Sequence, residues 1–186
     1  MLEKENDRIS QLAQRASDGD RSAFSELVRE FMSPIMALTY RMTGERESAL
    51  DLAQDTFVSA WESFRKFRGD AKIESWLYRI AMNKSLNYLA HRKISATTEL
   101  TDDLPARSSV GPDAQMIKDE LKAHVLAFMA GLPEQQRAVF ELRFYRQMQF
   151  DEIAEILGRG VPTVKTNYRE AIKKLREVAE REGWRP

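Results

Sequence analysis

Helical periodicity runs through nearly the whole chain, and its one long interruption lies between Ile94 and Gln115. On both sides of that interruption, apolar residues recur at spacings of three, four and seven, as Ile73, Leu77 and Ile80 do, which is typical of amphipathic α-helices. No alternating apolar and polar run is long enough to indicate a sheet. The sequence therefore predicts an all-α fold of two small helical domains, an N-terminal helical bundle and a C-terminal helix-turn-helix, joined by an extended linker.

The interruption itself divides the chain. It contains two prolines, a glycine and two adjacent serines, and it shows no helical stripe. A structureless segment of this length is unusual inside a compact domain, so it is either a plain flexible linker or an extended segment with its own function. We expect a first domain over residues 1–93, a linker over 94–117 and a second domain over 118–186.

Helix boundaries in the first domain follow from local signals. Ser22 is the expected N-cap of the second helix. Pro34 is expected to interrupt or restart that helix, and Gly44 to separate it from the third. A loop containing a glycine, residues 67–72, should precede the fourth helix. The third helix is predicted to turn one stripe inward: Leu50, Ala53, Phe57, Trp61 and Phe64.

Composition excludes several functions. The chain has no cysteine, which excludes disulfides, thiol catalysis and thiolate metal sites and fits a cytoplasmic location. Its two histidines, His91 and His124, lack ligand-like spacing, and no apolar run approaches the length of a membrane helix. The polar start does not resemble a signal peptide. We expect no catalytic residue, metal, cofactor, small-molecule substrate or membrane insertion.

Charge is concentrated in blocks. Residues 65–93 carry eight Lys and Arg against two acidic residues, a net of +6, although the whole chain balances 29 against 29. The net charge is −5 over residues 1–63, −4 over 94–120 and +3 over 121–186, an alternation that suggests surfaces for different partners. A basic strip with interleaved aromatics suits single-stranded nucleic acid, because cations hold phosphates and rings stack on unpaired bases. A solvated helix face beside core aromatics is the alternative.

The second domain has the pattern of a helix-turn-helix. A short helix over Phe150 to Leu157 is followed by the turn Gly158 to Gly160 and by a longer helix that begins near Pro162. The N-terminal half of such a helix directs donors to phosphates and major-groove base edges. Binding of duplex DNA is predicted, with a simple three-helix packing module as the alternative. The exposed candidates are Lys165, Thr166, Asn167, Arg169 and Lys173.

The order and spacing of short motifs resemble the extracytoplasmic-function (ECF) family of bacterial sigma factors, over nearly the whole chain. The motifs are DLAQDTF at 51–57, FRGD at 67–70, WLYRIAMN at 76–83, LP at 132–133, EIA at 152–154 and TVK at 163–165. The resemblance implies a subunit that gives RNA polymerase its promoter specificity and does no bond chemistry. A stand-alone helix-turn-helix regulator, with a sensing or dimerising N-terminal bundle, is the alternative. A small helical enzyme is a third class, for which no converging acid, base or metal groups are found.

The resemblance also implies partners and residue roles. Asp51, Gln54 and Asp55 match the family surface that docks on the β′ clamp helices of core RNA polymerase, whose β subunit is a further expected partner. The family captures a flipped base of an unpaired minus-ten strand, and an anti-sigma protein, in some cases near the membrane, commonly holds members inactive. The positions matching the minus-ten pocket and its backbone contacts are Phe67, Arg68, Lys72 and Asn83.

Three positions depart from the family pattern. Pro162 stands where the family usually has glycine, although proline suits a helix start. Asn167 and Glu170 stand where arginine is often found. Glu170 would repel phosphate if it faced the DNA backbone. We therefore expect this chain to read a minus-thirty-five sequence different from the common one.

Overall fold

A computed structural model of the 186-residue chain describes residues 2–64, 67, 72–98, 123–181 and 183. All regular structure within those residues is helical, which confirms the predicted all-α class. Residues 123–130 are helical and are called α5. The other elements are α1 (Leu2–Ser17), α2 (Arg21–Thr43), α3 (Arg46–Ser63), α4 (Ile73–Thr98), α6 (Glu134–Phe140), a π-helical segment (Glu141–Tyr145), α7 (Phe150–Leu157) and α8 (Val161–Arg181).

The start of α2 differs from the prediction. The N-cap is Asp20, whose carboxylate accepts the backbone N–H groups of Ser22 and Ala23 at 2.9 and 3.1 Å. Ser22 was therefore the wrong choice, because its own N–H is one of the orphan donors that the cap satisfies. Arg15 of α1 holds the other carboxylate oxygen of Asp20 at 2.7 Å, which joins the two helices at this corner.

Helix α2 runs through Pro34 without a break. Proline removes one backbone hydrogen bond inside a helix, but the residues around it, Phe31, Ile35 and Leu38, are all buried in the core. Packing of this apolar face outweighs the local cost, so the predicted interruption does not occur. The helix ends as predicted at Gly44, which adopts the left-handed conformation with φ of 76° and donates its N–H to Tyr40.

The first lobe, α1 to α4, packs mainly around α2 and α3. The hydroxyl of buried Thr39 donates to the backbone carbonyl of Ala49 at 2.8 Å and links the two helices. Leu50 was predicted to be inward but its side chain is 40% exposed. Ala53, Phe57 and Phe64 are buried as predicted and Trp61 is half-buried, but Ala49 occupies the inward position that had been assigned to Leu50.

The second lobe, α5 to α8, contains the predicted helix-turn-helix. The bounds of α7 agree with the sequence prediction, and Gly158 ends the helix in the left-handed conformation with φ of 60°. A capping box between Gln149 and Glu152 begins the same helix. Val164 and Ala171 are the buried residues of α8. The turn therefore sets α8 on top of α7 with its polar side outward.

The two lobes pack directly on each other. One apolar cluster contains Met42 and Tyr78 of the first lobe together with Leu142 and Ile156 of the second. The guanidinium of Arg137 crosses the boundary and donates to the carbonyl of Met42, in the last turn of α2. Helix α4 continues to Thr98, so the first residues of the segment expected to be linker are helical. The rest of the expected linker lies outside the described residues.

Candidate nucleic-acid and polymerase interfaces

Phe67 is half-buried at the edge of an aromatic cluster. Its ring lies 5.2 Å from Trp76 and 5.7 Å from Phe64, and the rings of Phe64 and Trp76 are 5.2 Å apart in an edge-to-face arrangement. Offset and edge-to-face pairs of this kind hold rings in fixed orientations. The ring of Phe67 is thus supported from one side by the core while part of it stays accessible.

Asn83 is exposed on α4. It follows Trp76 by seven residues, so it lies on the same side of α4, about 10 Å further along the axis. Because Phe67 packs on Trp76, the ring and the amide border one strip of α4, with half-buried Ile80 between them. Asn87, one turn beyond Asn83, is a second exposed amide on this strip. Sequence reasoning missed Asn87, although its spacing of four from Asn83 is visible.

Several basic side chains of the predicted strip, residues 65–93, are less available to bind nucleic acid than their number suggested. Lys72 is exposed, and Arg68 lies outside the described residues. Arg92 pairs with Glu45 at 2.6 Å, and Arg79 lies 3.7 Å from Glu155 of the second lobe. Part of the predicted basic strip is therefore paired with carboxylates of the same chain.

The pairing of Arg92 belongs to a small network at the α2–α3 corner. Burial opposes the charge of Glu45, but hydrogen bonds from Ser48 and Tyr88, together with Arg92, hold the pKa of that carboxyl below its usual value. The carboxylate therefore ties the C-terminal half of α4 to the start of α3.

Helix α3 presents one face that is acidic and partly apolar. Asp51, Gln54 and Asp55 are all exposed on it, as the prediction requires. Leu50 and Val58 lie on the same face, four residues before and after Gln54, with side chains 40% and 57% exposed. An apolar centre surrounded by a polar rim is the usual arrangement of a protein-binding surface. The periodicity had placed Leu50 in the core, so this part of the surface was not foreseen.

The outer side of α8 carries a continuous basic row. Lys165, Arg169 and Lys173 are exposed and follow one another at intervals of four, which places them on one stripe of the helix. The Nζ of Lys165 lies 5.8 Å from the ring centroid of Phe150 in α7, close enough for a cation–π contact. Glu170 is also exposed, beside this row.

Two other candidates on α8 are more constrained. Asn167 is only half-exposed, at the border of the buried face. The hydroxyl of Thr166 donates to the carbonyl of Pro162 at 3.0 Å. With its proton engaged inside the helix, the Thr166 hydroxyl presents its lone pairs outward and can accept a hydrogen bond. Pro162 lies in the first turn of α8, where a missing N–H costs no helical hydrogen bond.

The described residues contain no group of three or more His, Cys, Asp or Glu side chains that could hold a metal ion. None of their helices is both long and apolar enough to cross a membrane.

Comparison with known proteins identifies the family. Residues 27–94 match the model of sigma-70 region 2, and residues 124–175 match that of sigma-70 region 4. The RNA polymerase sigma-H factor of Pseudomonas aeruginosa is 32% identical, in an alignment covering 98% of this chain and 100% of the relative. The ECF RNA polymerase sigma factor SigW of Bacillus subtilis is 31% identical over 91% of this chain and 98% of its own length. The chain belongs to the ECF family of RNA polymerase sigma factors.

Two solved structures share this fold. This sigma factor is similar to CnrH, which was solved in complex with the cytosolic domain of CnrY. The match has a TM-score of 0.69 and 27% sequence identity, and it covers 93% of this chain and 97% of the CnrH chain. A second match, to RpoE in complex with the anti-sigma factor NepR from Bartonella quintana, has a TM-score of 0.66 at 18% identity and supports the fold alone.

The family decides between the functions that the sequence left open. The two matched regions lie one in each lobe, in the order that the motifs predicted. The chain is a promoter-directing RNA polymerase sigma factor, and this is favoured over the stand-alone regulator. Sigma factors are generally DNA-recognition subunits rather than enzymes.

Proposed function

We propose that the two lobes of this sigma factor divide promoter recognition between them. The first lobe binds core RNA polymerase through the exposed face of α3 and captures an unpaired base of the minus-ten element beside Phe67 and Asn83. The second lobe reads the minus-thirty-five duplex with α8. Residues 1–93 and 118–186 are the proposed domains and 94–117 the proposed linker, whose first five residues continue α4 to Thr98. Lys72 and Arg68 are proposed to hold the minus-ten backbone.

The basic row on α8 carries this proposal. Lys165, Arg169 and Lys173 face outward, opposite Val164 and Ala171, which anchor the helix to its lobe. A recognition helix needs this combination, because its inner side must be held while its outer side enters the major groove. Thr166 is proposed to accept a hydrogen bond from a base amino group, and Asn167 to contact a base edge. The accessible ring of Phe67 supports the complementary role of the first lobe.

The remaining partners follow from the family. CnrH and RpoE were each solved with a bound partner, in the case of RpoE an anti-sigma factor. We propose that an anti-sigma protein likewise regulates this chain. We further propose that the chain acts in the cytoplasm, where its polymerase is, and catalyses no reaction of its own.

Reconstitution tests the proposal. The purified chain and core RNA polymerase from the same bacterium should together initiate RNA synthesis on genomic DNA at a distinct set of starts, found by sequencing transcript 5′ ends. Those starts should share two upstream elements. The chain alone should not retain duplex promoter DNA at physiological salt, because its net charge is zero. A chain that shifts promoter DNA alone and leaves the starts of the polymerase unchanged would favour the stand-alone regulator.

The polymerase surface needs its own comparison. Asp51→Ala/Asp55→Ala removes two charges from the proposed face of α3, and we expect association with core polymerase to slow several-fold at low salt. Asp18→Ala removes an exposed charge from the turn between α1 and α2 and should leave association unchanged. Equal effects of the two changes would mean that the face of α3 has no special role.

A further inference from the structure

The boundary between the lobes contains a buried charged cluster. Glu141 of the π-helical segment is fully buried, and its two carboxylate oxygens accept from Nε and Nη2 of Arg41 in α2, each at 2.6 Å. The two residues are 100 positions apart and belong to different lobes. Short bidentate contacts of this kind are the geometry of an ionised arginine–carboxylate pair. The contact therefore fixes how one lobe sits on the other.

Arginine side chains extend this cluster. The Nε of Arg146 lies 3.7 Å from Glu141, its Nη2 donates to the carbonyl of Pro34 in α2, and its guanidinium sits 4.7 Å from the ring centroid of Tyr78 in α4. Arg41 in turn lies 4.0 Å from the ring centroid of Tyr145. We call Arg41, Glu141 and Arg146 the interlobe cluster. It joins α2 and α4 to the second lobe with one carboxylate between two guanidinium groups.

The π-helical segment is what brings these residues together. A π-helix closes its hydrogen bonds over five residues rather than four. Glu141, Tyr145 and Arg146 therefore all contact α2, at Arg41 or Pro34. Gln147, with a positive φ of 53°, then redirects the chain toward α7. π-Helical turns are rare and often occur at functional positions. This local geometry serves the contact between the lobes.

Burial makes the cluster favour one arrangement of the two lobes, but it adds little net stability to that arrangement. Burial raises the pKa of the Glu141 carboxyl, against the hydrogen bonds and charge of Arg41, which lower it. The cost of removing such charges from water often cancels their attraction, so a buried ion pair adds little net stability compared with apolar residues. Two arginines also share one carboxylate, which leaves one positive charge in excess. The cluster therefore selects a single closed arrangement that a competing partner can open.

We propose that the interlobe cluster is a latch that keeps the free sigma factor closed, and that opening it is a required step in promoter engagement. This step rests on the proposed function. A compact chain of this length has a radius of gyration of about 16 Å and is about 40 Å across. Elements centred near positions −10 and −35 are about 25 base pairs apart, or about 85 Å at ~3.4 Å per pair. The closed chain leaves both DNA surfaces accessible but holds them too close together to reach both elements.

Distance measurements on the free chain test the latch directly. The chain has no cysteine, so Ser25→Cys on α2 and Glu177→Cys on α8 give two unique labelling positions, both exposed and outside every proposed site. Pulsed electron paramagnetic resonance should show one narrow interlobe distance. Glu141→Lys puts three cations together and should raise the open population about tenfold or more, as a second, longer and broader distance. A broad distribution in the parent chain, or an unchanged one in Glu141→Lys, would overturn the proposal.

A matched control and an opposite variant complete the test. Glu30→Lys makes the same charge change in an exposed pair with Arg8 inside the first lobe and should leave the distance unchanged. The triple change Arg41→Met, Glu141→Leu and Arg146→Met replaces the cluster with apolar side chains and should keep the narrow distance. With core polymerase it should also slow transcription initiation about tenfold, because closing no longer requires burial of charge.

If Glu141→Lys loses its helical circular dichroism and so does not fold, the triple variant still tests the latch. A triple variant that opens, or that initiates as fast as the parent, would contradict the latch. The distances are measured without polymerase, so a parent chain that closes as expected but supports no transcription would disprove the proposed function and not the closed state.

Discussion

The ring of Phe67 lies 5.2 Å from the ring of Trp76, with an angle of 50° between their planes. Through Trp76 and Phe64, the proposed base-contacting ring is supported by the core of the first lobe. A ring that is already oriented loses little conformational entropy when it stacks on a base. This support explains how one aromatic side chain at a helix-preceding loop can act as a fixed platform.

Replacing that ring should weaken capture of the melted strand. Phe67→Leu removes the stacking surface, worth about 1–3 kcal/mol per base, so open complexes should dissociate about 5- to 150-fold faster. The half-life of competitor-resistant complexes measures this. Phe24→Leu is the control, because Phe24 is also half-buried and packs 4.9 Å from Trp61 in the same lobe but has no proposed contact with DNA. If both variants shorten the half-life equally, Phe67 acts only through stability.

Substitutions at two residues of α8 should impair DNA binding in different ways. Lys165→Ala should weaken binding to all duplex sequences and reduce the slope of log affinity against log salt by about 1, because it removes one phosphate contact. Asn167→Ala should instead cost about 1–3 kcal/mol at one base pair and relax the choice of base there. Holoenzyme binding to a minus-thirty-five library at several salt concentrations separates the two. Glu177→Gln, further along α8, serves as the control, and identical salt slopes for all three variants would contradict the assignment of Lys165.

The exposed apolar residues of α3 should matter for binding polymerase and not for folding. Leu50→Ser/Val58→Ser removes side chains that are 40% and 57% exposed, so the free energy of unfolding should change by less than about 1 kcal/mol. Loss of their burial in the complex should cost roughly 1–3 kcal/mol of affinity for core polymerase. Competition against a labelled sigma factor measures it. Ile94→Ser, at a side chain 65% exposed on α4, is the matched control, and a similar loss in that variant would refute the role of α3.

The cap of α2 should make stability depend on acid. Backbone hydrogen bonds from Ala23 and the side chain of Arg15 hold the pKa of Asp20 below its usual value of 3.8. A carboxyl with a lowered folded-state pKa stabilises the fold above the unfolded-state pKa, and the contribution disappears as the pH falls through the folded-state value. Asp20→Asn keeps a capping oxygen but cannot ionise.

Urea unfolding of both forms at several pH values checks this. The parent should be more stable than Asp20→Asn at pH 7, and the difference should shrink as the pH falls below 3.8. A difference that stays constant over that range would show that the charge of Asp20 contributes nothing.

Local signals in the sequence predicted what local physics determines. The bounds of α7 and the glycine end of α2 follow from the apolar spacing and from the left-handed glycine that ends each helix, Gly158 and Gly44. Leu50 was misplaced because apolar residues at Ala49, Leu50 and Ala53 fit two adjacent helix faces, and only packing against α2 selects one. Pro34 was misjudged for the same reason, since buried neighbours decide whether the helix continues.

Contacts between residues far apart in the chain could not be predicted from the sequence. Glu141 of the π-helical segment pairs with Arg41, 100 positions earlier, and nothing local in ELRFY distinguishes this segment from an α-helical turn. The pairing of Arg79 with Glu155 likewise depends on how the lobes pack, and that of Arg92 with Glu45 on how α4 packs inside the first lobe. Among the candidate site residues, exposure agrees with the predictions for the acidic face of α3 and the basic row of α8. The engaged hydroxyl of Thr166 could not be predicted from composition.

The hydrogen bond from Arg137 to the carbonyl of Met42 spans 95 positions. At a synthesis rate of about 5–20 residues per second, the ribosome makes Arg137 roughly 5–20 seconds after Met42. During that interval α2 emerges and packs while its last turn has only water to satisfy this carbonyl. The nascent first lobe must therefore be stable before Arg137 caps the last turn of α2. A translational pause before Arg137 would prolong the time for which the end of α2 is exposed to chaperones.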